Sequence, residues 1–113
     1  FQSDCVPCKA EHPELVKFVE QQATFDNGAE LYTIAQDIDS EADVRAFFDE
    51  RGGAWPALRD EDGLVYVSFG VSQVPETFIV APDGVVRVRW AGQVDAITLS
   101  QLVQQQRDLY EAS

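Results

Sequence analysis

Cys5-Val6-Pro7-Cys8 is the stretch of this chain whose residue types and spacing could do chemistry. No other cysteine is present. Two cysteines this close cannot tie distant parts of a fold together. The loop they would close is tiny, so its entropic stabilisation would be small. The pair therefore reads as redox chemistry or as half of a metal site. The residues from Cys5 to about Gln22 read as a helix, with Leu15, Phe18, Val19 and Gln22 on one face. Cys5 then stands at the helix N-terminus, among unpaired N–H groups and a partial positive charge. A thiolate is stabilised there, and the thiolate is the species that attacks a disulfide. Cys8 lies one turn later, close enough to resolve a mixed disulfide. Pro7 removes one N–H and stiffens the loop, and Lys9 adds a nearby positive charge.

Other chemistries stand beside this one. The pair could be an inert disulfide. Cys5, Cys8 and His12 could supply three zinc ligands, but a closed site needs four and no third Cys or second His follows. Covalent haem attachment needs His directly after the second Cys, where Lys9 stands. His12 falls one turn after Cys8 and could touch the thiol. A lone histidine is more often a surface or half-buried filler.

The elements that must position these residues follow from the pattern. Pro13 lies inside the first helix and should kink it. Asp26-Asn27-Gly28 is a turn signal. Leu31 to Ile38 has the length and apolarity of a parallel strand covered on both faces. Ser40 is placed to cap a second helix, with Glu41 and Asp43 in its first turn. Val44, Phe47 and Phe48 form its apolar stripe, and Gly52-Gly53 stop it. Leu64 to Phe69 fits either a short strand or a buried helical turn. Thr77 to Ala81 reads as a strand, Pro82-Asp83-Gly84 as a turn, and Val86, Val88 and Trp90 as the inner face of an antiparallel strand. Thr98 and Gln101 form a capping-box pair for the last helix, with Ile97 stapled to Leu102. Leu99, Leu102, Val103 and Leu109 or Tyr110 make its buried face. A parallel strand over 31–38 needs a parallel neighbour, naturally one just before Cys5. Only Phe1-Gln2-Ser3 stand there. The expectation is a strand cut short, or a gap that something else fills.

The chain has 113 residues, 45% hydrophobic and 25% charged, which suits one globular domain over residues 1–113. Lys plus Arg number 8 against 20 for Asp plus Glu, a net charge of −12. So acidic a surface repels phosphate backbones and anionic lipid heads, so neither nucleic acid nor a membrane surface is an expected partner. No apolar run approaches the ~18 residues of a spanning helix, so direct membrane insertion by this segment is not expected.

Two motifs together carry a family resemblance. Cys5-Val6-Pro7-Cys8-Lys9-Ala10-Glu11-His12-Pro13 resembles the active-site helix of thioredoxin-fold oxidoreductases, helix proline included. Gly70-Val71-Ser72-Gln73-Val74-Pro75-Glu76-Thr77-Phe78 resembles the second signature of that superfamily, whose proline is cis and faces the cysteines. The wording Val-Pro-Glu-Thr-Phe, then Asp83-Gly84 and the strand to Gly92, is most similar to the extracytoplasmic TlpA, ResA and CcmG (DsbE) group. The resemblance implies an α/β, thioredoxin-like three-layer sandwich, with a mixed sheet and helices on both faces. It implies thiol–disulfide exchange, in the direction of a disulfide reductase, without a cofactor or metal. Cys5 would be the nucleophile and Cys8 the resolving thiol. Glu11 and Glu76 match acids kept near the cysteines. They would oppose thiolate formation or relay protons, so the net shift at Cys5 stays open. Asp4, Val6, Pro7, Val74 and Pro75 would meet the substrate, with Val74 offering backbone groups. Asp4 replaces the family's usual Trp and adds an acid. The implied partners are a protein with a disulfide or dithiol and an electron-donating dithiol protein. The implied location is periplasmic or cell-envelope, with a tether possible in a longer protein.

Overall fold

The computed structural model describes residues 1–112. The first helix, α1, spans Val6–Gln22 and runs unbroken through Pro13. It buries Leu15, Phe18 and Gln22 as the spacing requires, and Cys8, Glu11 and His12 as well. The strand expected over 31–38 is shorter: β1 is Thr33–Ala35. Tyr32 and Ile38 are exposed, while Ala35 is wholly buried. Polar tethering ends the strand. Asp39 closes a turn onto the Gln36 carbonyl, and its buried carboxylate accepts from Ser3 N–H at 2.8 Å and Ser3 Oγ at 2.6 Å. That contact ties the approach to the cysteines onto the end of β1.

Helix α2, Glu41–Arg51, starts with the expected Ser40 cap. Asp43 completes a capping box by accepting from Ser40 N–H at 2.9 Å. Gly52 ends the helix at φ 81°, a left-handed conformation suited to glycine. It leads to β2, Ala57–Arg59, which pairs in parallel with β1. Leu64–Phe69 forms a helix, α3, rather than a strand, and it is not a buried turn. Leu64 and Val67 are exposed. Its shape comes from the residues before it: the buried Asp60 carboxylate accepts from the N–H groups of Val65 and Tyr66. Tyr66 turns its hydroxyl to the Ile34 carbonyl, 2.6 Å away. Burial pushes that phenol well above its usual pKa.

Strands β3, Glu76–Val80, and β4, Val86–Ala91, form an antiparallel hairpin. The last helix, α4, spans Ala96–Ala112 and starts earlier than the Thr98–Gln101 pair suggests. Asp95 is the cap: its side chain accepts from Thr98 N–H at 2.7 Å and its carbonyl from Leu99 N–H. Asp is a stronger cap than Thr and comes first in sequence. Leu99 and Val103 are buried, but Ile97, Leu109 and Tyr110 are exposed, so the buried face ends sooner than the sequence pattern extends.

Leu15, Phe18, Trp55, Val94, Leu99 and Val103 form the core cluster. The parallel β1–β2 ladder and the antiparallel β3–β4 ladder supply the two halves of the expected mixed sheet. Between them lies a cavity of about 870 Å³.

Candidate active site

The sequence places Cys5 at the mouth of α1, and the fold makes it the N-cap. Its backbone is extended, at φ −106° and ψ 116°, and its sulfur accepts the N–H of Cys8 at 3.2 Å. The sulfur thus does what a Ser or Asp oxygen does at other helix starts. Cys5 and Cys8 are joined as a disulfide, with Cα atoms 5.1 Å apart. Both are buried. Val6 and Pro7 stand exposed beside them, Val6 at 76%.

The second motif arrives from the other end of the chain. The Val74–Pro75 peptide is cis, and the Val74 carbonyl oxygen lies 3.8 Å from Cys5 Sγ. Pro75 is buried and Val74 half-buried. Of the residues expected to meet a substrate, Val6, Pro7 and Asp4 are the open ones, Val74 is partly open, and Pro75 is packed beneath. Asp4 points to solvent and pairs with Lys9 at 3.7 Å. This exposed pair shares Lys9's charge, and such pairs are weak.

Glu11 is one turn beyond Cys8, on the same side of α1. It is 4% exposed, and its carboxylate accepts the Val94 N–H at 3.0 Å. Burial raises its pKa from 4.5 to about 7, against the smaller opposing effect of that hydrogen bond. A carboxyl group with that value exchanges its proton near neutrality.

Glu76 follows the cis proline, and its partners lie on β4 and at Ser72. Its side chain is 1% exposed and held by Arg89, 2.8 Å away on β4. Ser72 Oγ donates to the same oxygen at 3.3 Å. Its other oxygen is buried and has no partner among the described residues. Sequence reading misses Arg89, because Arg87 and Arg89 look like the solvent face of an alternating strand. The register explains the pairing: Glu76 lies opposite Ala91, so Arg89 is its diagonal neighbour on one face.

His12 is neither a thiol contact nor a surface filler. It is buried, with Nε2 2.8 Å from the Gly52 carbonyl oxygen. Its ring packs on Phe47, Phe48 and Trp55 at centroid distances of 5.0–5.1 Å. Burial lowers its pKa, so the neutral ring is favoured. That contact ties α1 to the glycine that caps the end of α2. Among the described residues no group of three His, Cys, Asp or Glu side chains is arranged to hold a metal ion.

Two expectations follow from these acids. Arg89→Ala leaves Glu76 buried without its cation and should cost about 2 kcal/mol in urea unfolding, the scale of one charged hydrogen bond. In a Glu76→Gln background the same change should cost clearly less; equal costs would mean the pair is not coupled. Glu11→Gln keeps an acceptor for Val94 and carries no charge. A raised acid pKa stabilises the fold fully below pH 4.5, and that contribution is lost as pH rises through about 7. The stability of Glu11→Gln relative to wild type should therefore grow by roughly 2–3 kcal/mol between pH 4.5 and 8. Unfolding at a series of pH values reads this directly, and a difference flat with pH contradicts the buried acid.

Comparison with solved structures shows the fold. The chain is similar to a putative thioredoxin from Neisseria meningitidis, with a TM-score of 0.86 at 21% identity, covering 100% of this chain and 74% of that one. StoA from Bacillus subtilis gives 0.78 at 20% identity, covering 89% and 75%. Among curated proteins, the chain is 31% identical over 93 residues to the thiol:disulfide interchange protein DsbE of Pseudomonas fluorescens biotype C, covering 82% of this chain and 49% of that protein. It is 35% identical over 89 residues to a DsbE homolog of Paracoccus denitrificans, covering 78% and 45%. The chain thus spans about half the length of the curated relatives it matches. The family model described as AhpC/TSA matches residues 1–89. That match takes in both the Cys5–Cys8 helix and the strand behind cis Pro75, and the chain belongs to the AhpC/TSA family on a thioredoxin-like fold.

Proposed function

We propose that this chain is a protein thiol–disulfide oxidoreductase working as a disulfide reductase. The observation that carries the reading is the seat of Cys5: a sulfur at a helix N-cap, bonded to the Cys8 N–H and beside the carbonyl before a cis proline. The reaction balances without a cofactor. In the reduced protein the Cys5 thiolate attacks one sulfur of a substrate disulfide. A Cys5–substrate bond forms, and the other substrate sulfur leaves as a thiolate. Cys8 then loses its proton and attacks Cys5 Sγ. This closes the Cys5–Cys8 disulfide and releases the second substrate thiolate. Two electrons have passed to the substrate, and a second dithiol protein returns them.

Glu11 is the group suited to carry the Cys8 proton, by its place one turn along α1 and its near-neutral pKa. Glu76 has a positioning part in this reading, because Arg89 and Ser72 tether it to the strand behind Pro75. Val6, Pro7 and the Val74 backbone form the docking rim, with Asp4 setting its charge.

Charge supports this direction. A strongly oxidising pair is one whose reduced form is stabilised, as a low-pKa thiolate. Here the helix dipole favours the thiolate, but an acid is buried behind it and the nearby Lys9 is paired to Asp4. That balance favours reducing power. The relatives' names, thiol:disulfide interchange proteins, fit the same chemistry. A location outside the cytoplasmic membrane belongs to this reading. No helix among the described residues is long and apolar enough to cross a membrane.

The test is a redox titration of Cys5 and Cys8 in glutathione buffers, read by mass after thiol trapping. A potential at or below roughly −230 mV is the expected result. A value near roughly −120 mV makes the protein a disulfide donor instead. The absence of any reversible pair leaves only a binding module. Cys8→Ser should trap mixed disulfides with substrate and Cys5→Ser should abolish exchange. Normal turnover by Cys8→Ser removes the resolving role.

A further inference from the structure

Asp39 is a buried acid that the proposed chemistry leaves unused. Its backbone is fixed from three sides. Its N–H closes a turn onto the Gln36 carbonyl at 3.0 Å, just past β1. The next residue, Ser40, caps α2. Its carbonyl accepts Arg59 Nε from β2 at 3.0 Å. The carboxylate serves none of these contacts. Both of its oxygens go to Ser3, one accepting the N–H at 2.8 Å and the other the Oγ hydroxyl at 2.6 Å. A buried carboxylate is costly unless donors are aimed at it, and Ser3 supplies two.

Ser3 stands two residues before the sulfur that caps α1. The Cys5 N–H donates to the Gln2 carbonyl at 3.3 Å, so Ser3 and Asp4 are the central residues of a tight turn. That turn lies outside every helix and strand. Two charge-assisted bonds to one side chain fix both the position and the rotation of Ser3. Cys5 leaves the turn with extended backbone, at φ −106° and ψ 116°, the geometry a helix cap needs. In that geometry its Sγ receives the Cys8 N–H at 3.2 Å.

We propose that Asp39 is a positioning residue for Cys5: by clamping Ser3 it sets the turn that seats Cys5 Sγ on the first N–H groups of α1. The proposal rests on the reading of Cys5 as the attacking thiol. A seated sulfur gains from the Cys8 N–H and from the helix start. A sulfur that swings off the cap loses both, because the influence of a helix end falls off within one turn. The charge on Asp39 acts in the opposite sense, since an acid near a thiolate opposes its formation. Removing the carboxylate therefore has opposite signs under the two effects, and one experiment separates them.

The test uses the Cys8→Ser protein, in which Cys5 is the only thiol and residue 8 keeps its backbone N–H. The rate of Cys5 alkylation by iodoacetamide is followed against pH, with urea unfolding measured beside it. Asp4, Lys9 and Glu11 are the same in every variant, so their influence on Cys5 is common to all. Asp39→Ala should move the midpoint of the profile to higher pH and slow alkylation near neutrality by roughly threefold or more. Asp39→Asn should stay close to the parent, because its amide oxygen accepts the Ser3 N–H and its NH2 group donates to Ser3 Oγ. Ser3→Ala loses the hydroxyl bond alone and should shift the midpoint upward by less than Asp39→Ala. A midpoint that moves to lower pH in both Asp39 variants overturns the proposal, because charge is then the effect. An unmoved midpoint in a destabilised Asp39→Ala overturns it too, because the clamp is then only a structural tie. If Asp39→Ala does not fold, an unmoved midpoint in Ser3→Ala is the overturning result. Alkylation needs one thiol and no disulfide cycle, so its failure and that of the redox titration are separate results.

Discussion

The hydrogen bond from the Cys8 N–H to Cys5 Sγ is the contact around which the site is organised. It makes one sulfur both the cap of α1 and, in the proposed function, the atom that reacts. Capping matters for the helix, whose first N–H groups have no internal partners. It matters for the chemistry because the same N–H groups stabilise negative charge on that sulfur. Pro7 fits this arrangement, since an early helical position does not need its missing N–H. The cap also fixes direction. With α1 anchored at Cys5, nearly two helical turns carry Glu11 into the interior, and the same face buries Leu15 and Phe18 in the core.

Two opposing electrostatic influences then act on one pair of sulfurs. The helix start favours negative charge at the position of its cap. The interior behind it holds a carboxyl group that keeps its proton to near neutrality because charge is costly there. Lys9 tips this balance little, being half-exposed and paired to Asp4. The acidity of the whole chain acts through screened solvent and is a minor influence at a buried site. In the proposed function, the thiol chemistry is therefore set by a few groups within one or two turns of α1.

Much of the architecture was legible in order and type. The capping box at Ser40, the glycine stop at Gly52 and the hairpin at Pro82-Asp83-Gly84 are local features, set by side chains reaching their own backbone within a few residues. Errors came where a distant group took over. β1 is shorter than its apolar stretch because Asp39 turns to bind Ser3. Leu64–Phe69 is ambiguous by periodicity, and the buried Asp60 makes it a helix. Thr98 looked like a cap, but Asp95 stands in front of it. His12 reads from spacing as a surface or half-buried residue, and it is buried because three aromatic rings and the Gly52 carbonyl enclose it.

By itself the sequence determined which atoms the proposed reaction uses and their local setting. Two cysteines one helical turn apart at a helix start carry their own electrostatics, whatever lies further along the chain. Tertiary structure decided everything that needed two distant segments to meet. It brought Val74 to Cys5, the Val94 N–H to Glu11, and Arg89 to Glu76. It also decided that Glu11 is buried and Asp4 is not, though both are acids near the same pair. The reason is physical. Charge state depends on desolvation and on partners across the fold, and neither is a property of spacing along the chain.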